Sequence, residues 1–417
     1  MQRISERIYH EKDLRLSNGS FVHRGNNPQK IAHGIELLSE LYTRRRSELH
    51  QKLLQDDELR AAYLLYFLPA NLRKSRQILK EIWMHPQVPP LFRSSLRILD
   101  LGCGPGSMLL GFLDFLIDLP YLPNQVEFYA IDALEKNLED VRYFGEWWIS
   151  QFFADTDERS GRGKIALHCN RWDIRKPLKL PDREAFHFIL IGNILNELFR
   201  EESDRVKKRY QIISSLVEQW LAPEGFLIIM EPALKETSRD LLLLRNELIK
   251  RNGLNVYAPC VHNIPCPAVA SGNRNDWCHE DRSWEPPRNL QDIDRRLVNA
   301  GDGLKYSYVV LSRQGISVAS TAMLSWGGAG GPIPKKPQLW RVVSERMKER
   351  GESGVFLCGI SGREKTTRLS KHSSSANGAF EDLKRGQVIA THQLIQTKPK
   401  DWRVEPETEV RILMNVQ

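Results

Sequence analysis

A short apolar segment that ends in a glycine-rich loop constrains the fold of this chain more than any other feature. The segment LRILDLG begins at Leu96 and is typical of a buried strand, and the loop GCGPG at 102–106 closes it. Glycine lets the backbone turn sharply and approach a ligand without a clash from a Cβ atom. The pattern therefore predicts a strand, a ligand-binding loop and a helix, the first unit of a nucleotide-binding α/β fold.

Further apolar segments follow this strand and alternate with helical patterns. They are VEFYAID (Val126–Asp132), IALHCNRWDI (Ile165–Ile174), FHFILIGNIL (Phe186–Leu195), GFLIIME (Gly225–Glu231) and a late YSYVVLSR (Tyr306–Arg313). Apolar strands that alternate with amphipathic helices form a parallel sheet covered on both faces. We therefore predict the α/β class, with a Rossmann-like sheet.

Changes in composition divide the rest of the chain. Residues 28–85 repeat apolar residues at helical spacing, and Pro69 is expected to end or kink the second helix. Residues 255–300 are rich in Pro, Asn, Trp and Cys, and a Gly/Pro linker after Ser325 precedes short runs spaced like strands of a small barrel. The predicted parts are an N-terminal helical region (1–95), a Rossmann-like domain (96–254 and 301–330), a Cys-rich metal-binding insertion (255–300) and a C-terminal OB-like β-barrel (335–417).

The string LDLGCGPG (Leu99–Gly106) resembles motif I of class I S-adenosylmethionine (SAM) methyltransferases. A glycine loop alone would also suit a dinucleotide dehydrogenase, whereas the full string is specific. From the residues themselves, the carboxylate of Asp132 at the end of the next strand can accept two hydrogen bonds from a ribose. The resemblance implies SAM bound by Gly102, Gly104, Gly106 and Asp132, with Asp100 near the methionine amine, Asp173 near the adenine amino group and Asn193 near the methionine side.

The sequence identifies no catalytic residue. The fourth strand ends in GNILNEL, which lacks the Asn/Asp-Pro-Pro-aromatic motif of adenine and cytosine N-methyltransferases and the Pro-Cys loop of RNA cytosine C5 enzymes. Asn196 and Glu197 follow this strand, but the start of a helix is the simpler interpretation of both. Whether the chain is an enzyme therefore stays open.

Four cysteines in the second half form the pattern C-x5-C-P-x10-C-x79-C. They are Cys260, Cys266, Cys278 and Cys358. Clustered thiols in a large chain without a secretion signal more often bind metal than form disulfides. Iron–sulfur clusters are held by thiolates, often with a Cys-Pro step. A zinc site of three cysteines completed by His262 or His279 is the alternative, and the local spacing favours neither.

These features together resemble the methyltransferase-like proteins of small-ribosomal-subunit assembly found in mitochondria and bacteria. The resemblance rests on LDLGCGPG, CVHNIPCPA, NDWCHEDR and YSYVVLSR in this order, spans about residues 60–313 and is weaker over 335–417. It implies a 4Fe–4S cluster on the four cysteines, SAM in the glycine loop and binding to small-subunit ribosomal RNA (rRNA). It does not establish methyl transfer.

The net charge of +8 is concentrated at the two ends of the chain. Residues 1–96 and residues 335–417 each hold 16 Lys and Arg against 10 Asp and Glu, which leaves 97–334 at −4. Basic ends suit a protein that holds a polyanion with its periphery, although a solvated surface has the same composition. The candidate phosphate contacts in the barrel are Arg341, Lys365, Arg368, Lys384 and Arg385.

Location and function are expectations at this point. Because the chain has neither an apolar stretch of membrane length nor an apolar signal core, we expect a cytoplasmic monomer of bacterial type without a membrane partner, or else a processed protein of the mitochondrial matrix. The favoured function is assembly of the small ribosomal subunit with SAM, a 4Fe–4S cluster and rRNA bound. The alternatives are an active rRNA methyltransferase and a zinc-containing SAM-dependent methyltransferase of a non-ribosomal substrate.

Overall fold

A helical segment, a large mixed sheet and a second, smaller sheet follow one another along the chain. The computed structural model describes residues 28–48, 53–153, 163–180, 182–286, 291, 303–326 and 337–416. Parts of the predicted N-terminal region, insertion and linker, namely 1–27, 287–290, 292–302 and 327–336, therefore lie outside the described residues. Among the described helices, none is long and apolar enough to cross a lipid bilayer.

The helices and strands have the following bounds. The helices are α1 Pro28–Thr43, α2 Asp57–Ala62, α3 Leu68–Trp83, α4 Ser107–Ile117, α5 Glu135–Phe152, α6 Arg205–Trp220, α7 Lys235–Asn252, α8 Pro267–Ala270 and α9 Val318–Trp326. The first eight strands are β1 Leu96–Leu101, β2 Gln125–Asp132, β3 Lys164–Arg171, β4 Phe186–Gly192, β5 Leu221–Pro232, β6 Asn255–Ala258, β7 Glu280–Ser283 and β8 Gly303–Ser312. The others are β9 Gln338–Val342, β10 Met347–Glu349, β11 Glu352–Gly359, β12 Gly362–Leu369, β13 Val388–His392, β14 Ile395–Lys398, β15 Asp401–Val404 and β16 Glu409–Met414.

The large sheet has the doubly wound order β3-β2-β1-β4-β5-β8-β6, and β7 pairs with β8. The first five strands in this order are parallel, whereas β8 runs antiparallel between β5 and β6. This order, with its antiparallel strand next to the last one, is that of the class I methyltransferase fold, so the predicted fold class is confirmed. The predicted insertion 255–300 contains β6 and β7, which both belong to this sheet.

Alternate residues of the central strands face two different cores. Ile98 of β1 packs with apolar residues of α3, α4 and α5 on one face, and Leu99 packs with residues of α6 and α7 on the other. Both side chains are fully buried. Burial on both faces explains why these strands are continuously apolar in the sequence.

The second sheet has the order β14-β15-β12-β11-β9-β13-β16, with β10 paired to β11. All its pairs are antiparallel except β12 with β15. Only residues 405–408 separate β15 from β16, yet the two strands pair near opposite ends of the order, so the sheet curls back on itself. Trp340, Val355, Val404 and Val410 share its core. The curled, mostly antiparallel sheet agrees with the predicted C-terminal barrel.

The N-terminal helices pack on the first helix that follows the glycine loop. The Oγ of Ser75 on α3 donates to the carbonyl of Met108 on α4 at 3.0 Å, and a Cβ at Gly111 would lie 2.6 Å from the carbonyl oxygen of Leu72. Pro69 neither ends nor interrupts this helical segment, because a π-helical stretch at Tyr63–Phe67 leads directly into α3 with proline in its first turn. The wider π turn therefore accommodates the proline that the sequence predicts as a break.

A buried ionic network joins the helical segment, the large sheet and the second sheet. The carboxylate of Glu81 on α3 accepts from Arg282 on β7 and Arg341 on β9, at 2.7 Å each, and from the hydroxyl of Tyr308 on β8 at 2.5 Å. Arg341 also donates to Glu280 at 3.0 Å. All four charged residues are at most 4% exposed. The network is neutral in sum, and we call these two glutamates and two arginines, with Tyr308, the ionic joint.

Candidate functional site

A cavity of about 460 Å³ lies at the carboxyl ends of the parallel strands. Its wall contains the loop after β1, the ends of β2 and β4, the segment after β3 and the end of β5. Ligands of doubly wound folds bind at this edge of the sheet. A volume of this size is typical of a site for one small molecule.

Hydrogen bonds hold the glycine loop against the end of β2. The backbone NH groups of Gly102 and Cys103 both donate to the carbonyl of Ile131, at 2.7 and 3.0 Å. Gly104 lies on the cavity with a φ of +53°, and a Cβ built there would meet nothing within 4 Å. The loop therefore leaves open space for a ligand at Gly104, in a backbone conformation that favours glycine.

Asp132 connects this loop to the next helix. Its Oδ2 accepts from the backbone NH of Gly104 at 2.9 Å, and its Oδ1 accepts from the NH of Leu134 at 2.9 Å and from Nδ2 of Asn137 at 3.0 Å. The carboxylate lines the cavity while making these bonds. Asp132 therefore fixes the glycine loop and the start of α5 relative to each other. Its remaining lone pair can accept a hydrogen bond from a ligand hydroxyl.

The N-terminal helices cover the cavity. The residues that contribute to this cover are Tyr42, Thr43, Leu54, Tyr63, Phe67, Asn71 and Lys74. Tyr63, Phe67 and Asn71 repeat at intervals of four and therefore lie on one helical face. Burial raises the pKa of the Tyr63 hydroxyl, and the nearby side chains of Asn71 and Ser107 partly offset this rise. The sequence analysis missed this cover because these residues carry no motif of their own.

The turn after β4 forms the wall opposite the glycine loop. Asn193 has a φ of +56°, which is uncommon outside glycine and is found at functional sites more often than elsewhere. The buried carboxylate of Glu231 accepts from the NH groups of Leu195 (2.9 Å) and Asn196 (3.2 Å), yet burial raises its pKa to about 7. Glu197 lines the cavity with an exposed side chain, and the protein around it and the charge of Asp132 raise its pKa.

The four cysteines of the predicted metal site line a second cavity, of about 40 Å³. Three come from the segment between β6 and β7, and Cys358 comes from β11 of the second sheet. Burial, and then the charges of the other cysteines, raise the pKa values of the Cys278 and Cys358 thiols. Among the described residues, no group of three or more His, Cys, Asp or Glu side chains has the arrangement of a single-ion site.

Side chains of α7 hold the cysteine segment in place. Arg245 donates to the carbonyls of His262 and Ile264, each at 3.0 Å, and Oδ1 of Asn246 accepts from the NH of Cys266 at 3.0 Å. Nε2 of His262 lies 3.4 Å from Sγ of Cys358, and burial lowers the pKa of this imidazole to about 4. The helix therefore positions an irregular loop whose own sequence has no secondary-structure pattern.

Comparison with known proteins identifies the family. A family model described as "Mitochondrial small ribosomal subunit Rsm22" matches residues 155–387, more than half of the chain. The chain belongs to this family. A search of curated proteins found no match. The matched range includes all four cysteines of the second cavity, and the mitochondrial description of the Rsm22 family agrees with the mitochondrial alternative for the location.

Several solved methyltransferase structures are similar at low identity. A magnesium protoporphyrin IX methyltransferase from Synechocystis PCC 6803 with bound SAH is 10% identical, at a TM-score of 0.33, over 67% of this chain and 100% of that one. The plantazolicin methyltransferase BpumL is 14% identical, at 0.32, over 69% and 98%. A putative RNA methyltransferase from Pyrococcus horikoshii is 10% identical, at 0.29, over 56% and 82%. We assign the fold of this Rsm22-family chain from its own strand order.

Some of the predicted cofactor residues line the first cavity and others do not. Those that line it are Gly102, Gly104, Asp132, Asp173 and Asn193. Asp173 already binds Arg175 at 2.7 Å. Asp100 and Gly106 lie behind this lining: Asp100 accepts from the NH of Leu109 at 3.0 Å, and Gly106 precedes α4 with a φ of +93°. Their predicted roles toward a cofactor stay predictions.

Two of the five candidate phosphate contacts are wrong. Arg341 is buried in the ionic joint, and Arg368 donates to Oδ1 of Asn377 at 2.8 Å and pairs with Glu381. Both guanidinium groups are only 2% exposed, because they neutralise carboxylates within the protein. Lys384 is exposed.

Replacement of Asp100 by asparagine is expected to stabilise the ligand-free protein at alkaline pH. Burial raises the pKa of Asp100 to about 7, whereas an unfolded aspartate has a pKa of about 3.9. The folded wild type therefore loses stability as the pH rises from about 4 through 7. At pH 8 the free energy of unfolding of Asp100→Asn should exceed that of the wild type by on the order of 3 kcal/mol. Urea denaturation of both proteins measures this difference.

The same comparison at acidic pH is the internal control. Below about pH 4 the carboxyl group of Asp100 is protonated in both the folded and the unfolded protein. The difference in stability between wild type and variant should therefore disappear. The half-buried Asp173, whose pKa is lowered by its hydrogen bonds with Arg175, should not produce this pH-dependent gain when it is changed to asparagine. An Asp100→Asn difference that is equal at pH 4 and pH 8 would contradict the assignment.

Proposed function

We propose that this Rsm22-family protein binds SAM in the cavity at the glycine loop and a 4Fe–4S cluster on its four clustered cysteines, and that it acts on the small ribosomal subunit and its rRNA during assembly. The observation that carries the proposal is the meeting of Cys358, from the second sheet, with Cys260, Cys266 and Cys278 at one cavity. Cys358 lies 92 positions after Cys266 and on the second sheet, so the fold brings together thiols that are distant in sequence.

The donor set fits an iron–sulfur cluster. Four thiols around one small cavity, one buried and three half-buried, offer the all-sulfur ligation that such clusters use. A single zinc ion needs its sulfurs about 2.3 Å from one point, whereas a cluster places its own irons between the thiolates and so holds them farther apart. When bound, the cluster would supply strong bonds from one centre to both sheets. We therefore propose a structural role for it.

Zinc remains the second candidate for this site because of His262. Its Nε2 lies 3.4 Å from Sγ of Cys358 and it lines the same cavity as His279. Either imidazole could complete a site of three cysteines and one histidine. A zinc-containing SAM-dependent methyltransferase of another substrate is the function that would then follow.

The first cavity suits SAM. It lies where doubly wound folds bind nucleotides, and Gly104 and Asp132 face it with the chemistry that a ribose needs. The residues proposed to hold the cofactor are those predicted from the sequence. We leave methyl transfer as a second candidate activity: Glu197 and Asn196 line the cavity beside Asn193, but no methyl acceptor is identified.

The proposed RNA contact is the second sheet. It carries a net charge of +6 over 335–417, and its exposed lysines include Lys348, Lys371, Lys384, Lys398 and Lys400. Curled sheets of this kind bind single-stranded RNA along a basic face. We propose that the cluster holds this sheet beside the SAM cavity, and that the domain limits are those predicted from the sequence.

Replacement of Gly104 by valine tests the SAM proposal. A side chain at this position would occupy the open space of the cavity, so SAM affinity measured by calorimetry should fall by at least about 100-fold. Gly253→Val is the matched control, since Gly253 also has a left-handed φ (+64°) with nothing within 4 Å of a built Cβ. It should bind SAM like the wild type. Equal SAM affinity of both variants would refute the proposed site.

A further inference from the structure

Lys74 is a half-buried cation on the wall of the proposed SAM cavity. It lies on α3, and its Nζ donates to Oδ1 of Asn71 at 3.0 Å. The surrounding protein lowers the pKa of Lys74 to about 8, and within the described part of the chain no carboxylate forms an ion pair with it. A partly desolvated ammonium group without an anionic partner gains a favourable contact when a ligand supplies the anion.

The carboxyl groups of the cavity do not take this role. Asp132 is engaged by three hydrogen bonds from the glycine loop and α5, and Asp173 by Arg175. Glu197 has a raised pKa, with Arg200 and Arg46 as the cations that act on it. The charge of Lys74 is therefore left for a ligand.

A second lysine of α3 has a different environment. Lys80 is 44% exposed at its side chain, pairs with Oδ2 of Asp118 at 3.1 Å and does not line the cavity. It has both solvent and a carboxylate nearby. Lys80 is therefore a suitable control for Lys74, because both lie on the same helix and only Lys74 lines the cavity.

Lys74 reaches the cavity from α3. This helix packs on α4, where the neighbouring Ser75 donates to the carbonyl of Met108. This is the side of β1 and β4, whereas Asp132 and Asp173 follow β2 and β3. A nucleoside that uses Asp132 would therefore direct its 5′ substituent toward α3.

We propose that the Lys74 ammonium group binds the carboxylate of the ligand's amino-acid part, and so selects ligands that carry a carboxylate at this end. The proposal rests on the proposed function, because the ligand considered is SAM. It makes the N-terminal cover a part of ligand recognition and not only a lid on the cavity. A charge-assisted hydrogen bond inside a closed cavity is among the stronger polar contacts.

The test compares two ligands that differ only in the carboxylate. SAM and decarboxylated SAM are titrated by calorimetry into wild type, Lys74→Met and the control Lys80→Met. Lys74→Met should weaken SAM binding by about 10- to 100-fold and leave the affinity for decarboxylated SAM unchanged or slightly higher. Lys80→Met should bind both ligands like the wild type.

The outcomes separate the two proposals. Equal loss of both ligands in Lys74→Met, or no loss of either, would overturn the role of Lys74 while SAM binding stands. A wild type that binds neither ligand would overturn both the SAM proposal and this one. Thermal unfolding of each variant without ligand identifies a folding defect, and Lys74→Gln then repeats the comparison with a smaller polar side chain.

Discussion

Replacing Glu81 by glutamine is expected to lower the free energy of unfolding by about 3–5 kcal/mol, one of the two largest effects in the molecule. The carboxylate lies between two buried guanidinium groups, those of Arg282 and Arg341, and the hydroxyl of Tyr308. Without its charge the ionic joint keeps two arginines against one glutamate. Removing one partner of a buried ion pair leaves an uncompensated charge, which costs far more than losing an exposed pair.

The effect of Glu81→Gln should not depend on pH in the neutral range. Burial raises the pKa of Glu81, but the nearby Arg341 and Arg282 more than offset it and hold the value at about 2. For a carboxyl group with a lowered folded pKa, the stabilisation is complete above the unfolded value of about 4.3 and is lost only below it. Denaturation at pH 6 and pH 8 should therefore give the same difference.

The exposed Glu58 provides the matched control for this substitution. Its ion pair with Lys30 spans 2.9 Å, but both side chains are 63% exposed. Glu58→Gln should change stability by less than about 1 kcal/mol. If Glu81→Gln were as mild as Glu58→Gln, the ionic joint would not hold the three parts of the chain together.

Replacing Cys358 by serine is expected to remove the cluster and loosen the second sheet. The variant loses the one thiol that β11 contributes to the cysteine cavity. We therefore expect its iron content to fall to background and its free energy of unfolding to fall by at least about 3 kcal/mol. RNA affinity should fall with it, because the ionic joint alone then holds the basic sheet at the large sheet. Iron analysis, denaturation and RNA titration measure the three effects.

Cys169 is the control for this prediction. It lies on β3, is half-buried and does not line the cysteine cavity. Cys169→Ser should keep its iron, its stability and its RNA affinity. A Cys358→Ser protein that retained the cluster but lost RNA binding, or lost the cluster and kept RNA binding, would contradict the proposed clamp.

The glycine loop and the sheet could be predicted because their signals are local. The strand β1, the turn at Gly102 and the helix after it are adjacent in sequence, and each neighbouring strand is marked by its own apolar run. The family resemblance, drawn from short motifs, is confirmed by the family match. The four cysteines could be proposed as one site because thiols are rare and have few roles.

The cavity cover and the ionic joint could not be predicted because their partners are distant in sequence. Arg341 binds Glu81 across 260 residues, and nothing near either residue signals the other. The sequence does not distinguish a buried arginine from an arginine that binds phosphate. For this reason the sequence analysis predicts that Arg341 contacts RNA. Lys74 likewise gains its meaning only from the burial that α3 imposes on it.

The proposed iron–sulfur cluster would join the second sheet to the large sheet. Protein purified without oxygen should be brown and contain about four irons and four acid-labile sulfides per chain, with little zinc, as measured by elemental and sulfide analysis. A colourless protein with one zinc per chain and no sulfide would contradict the account.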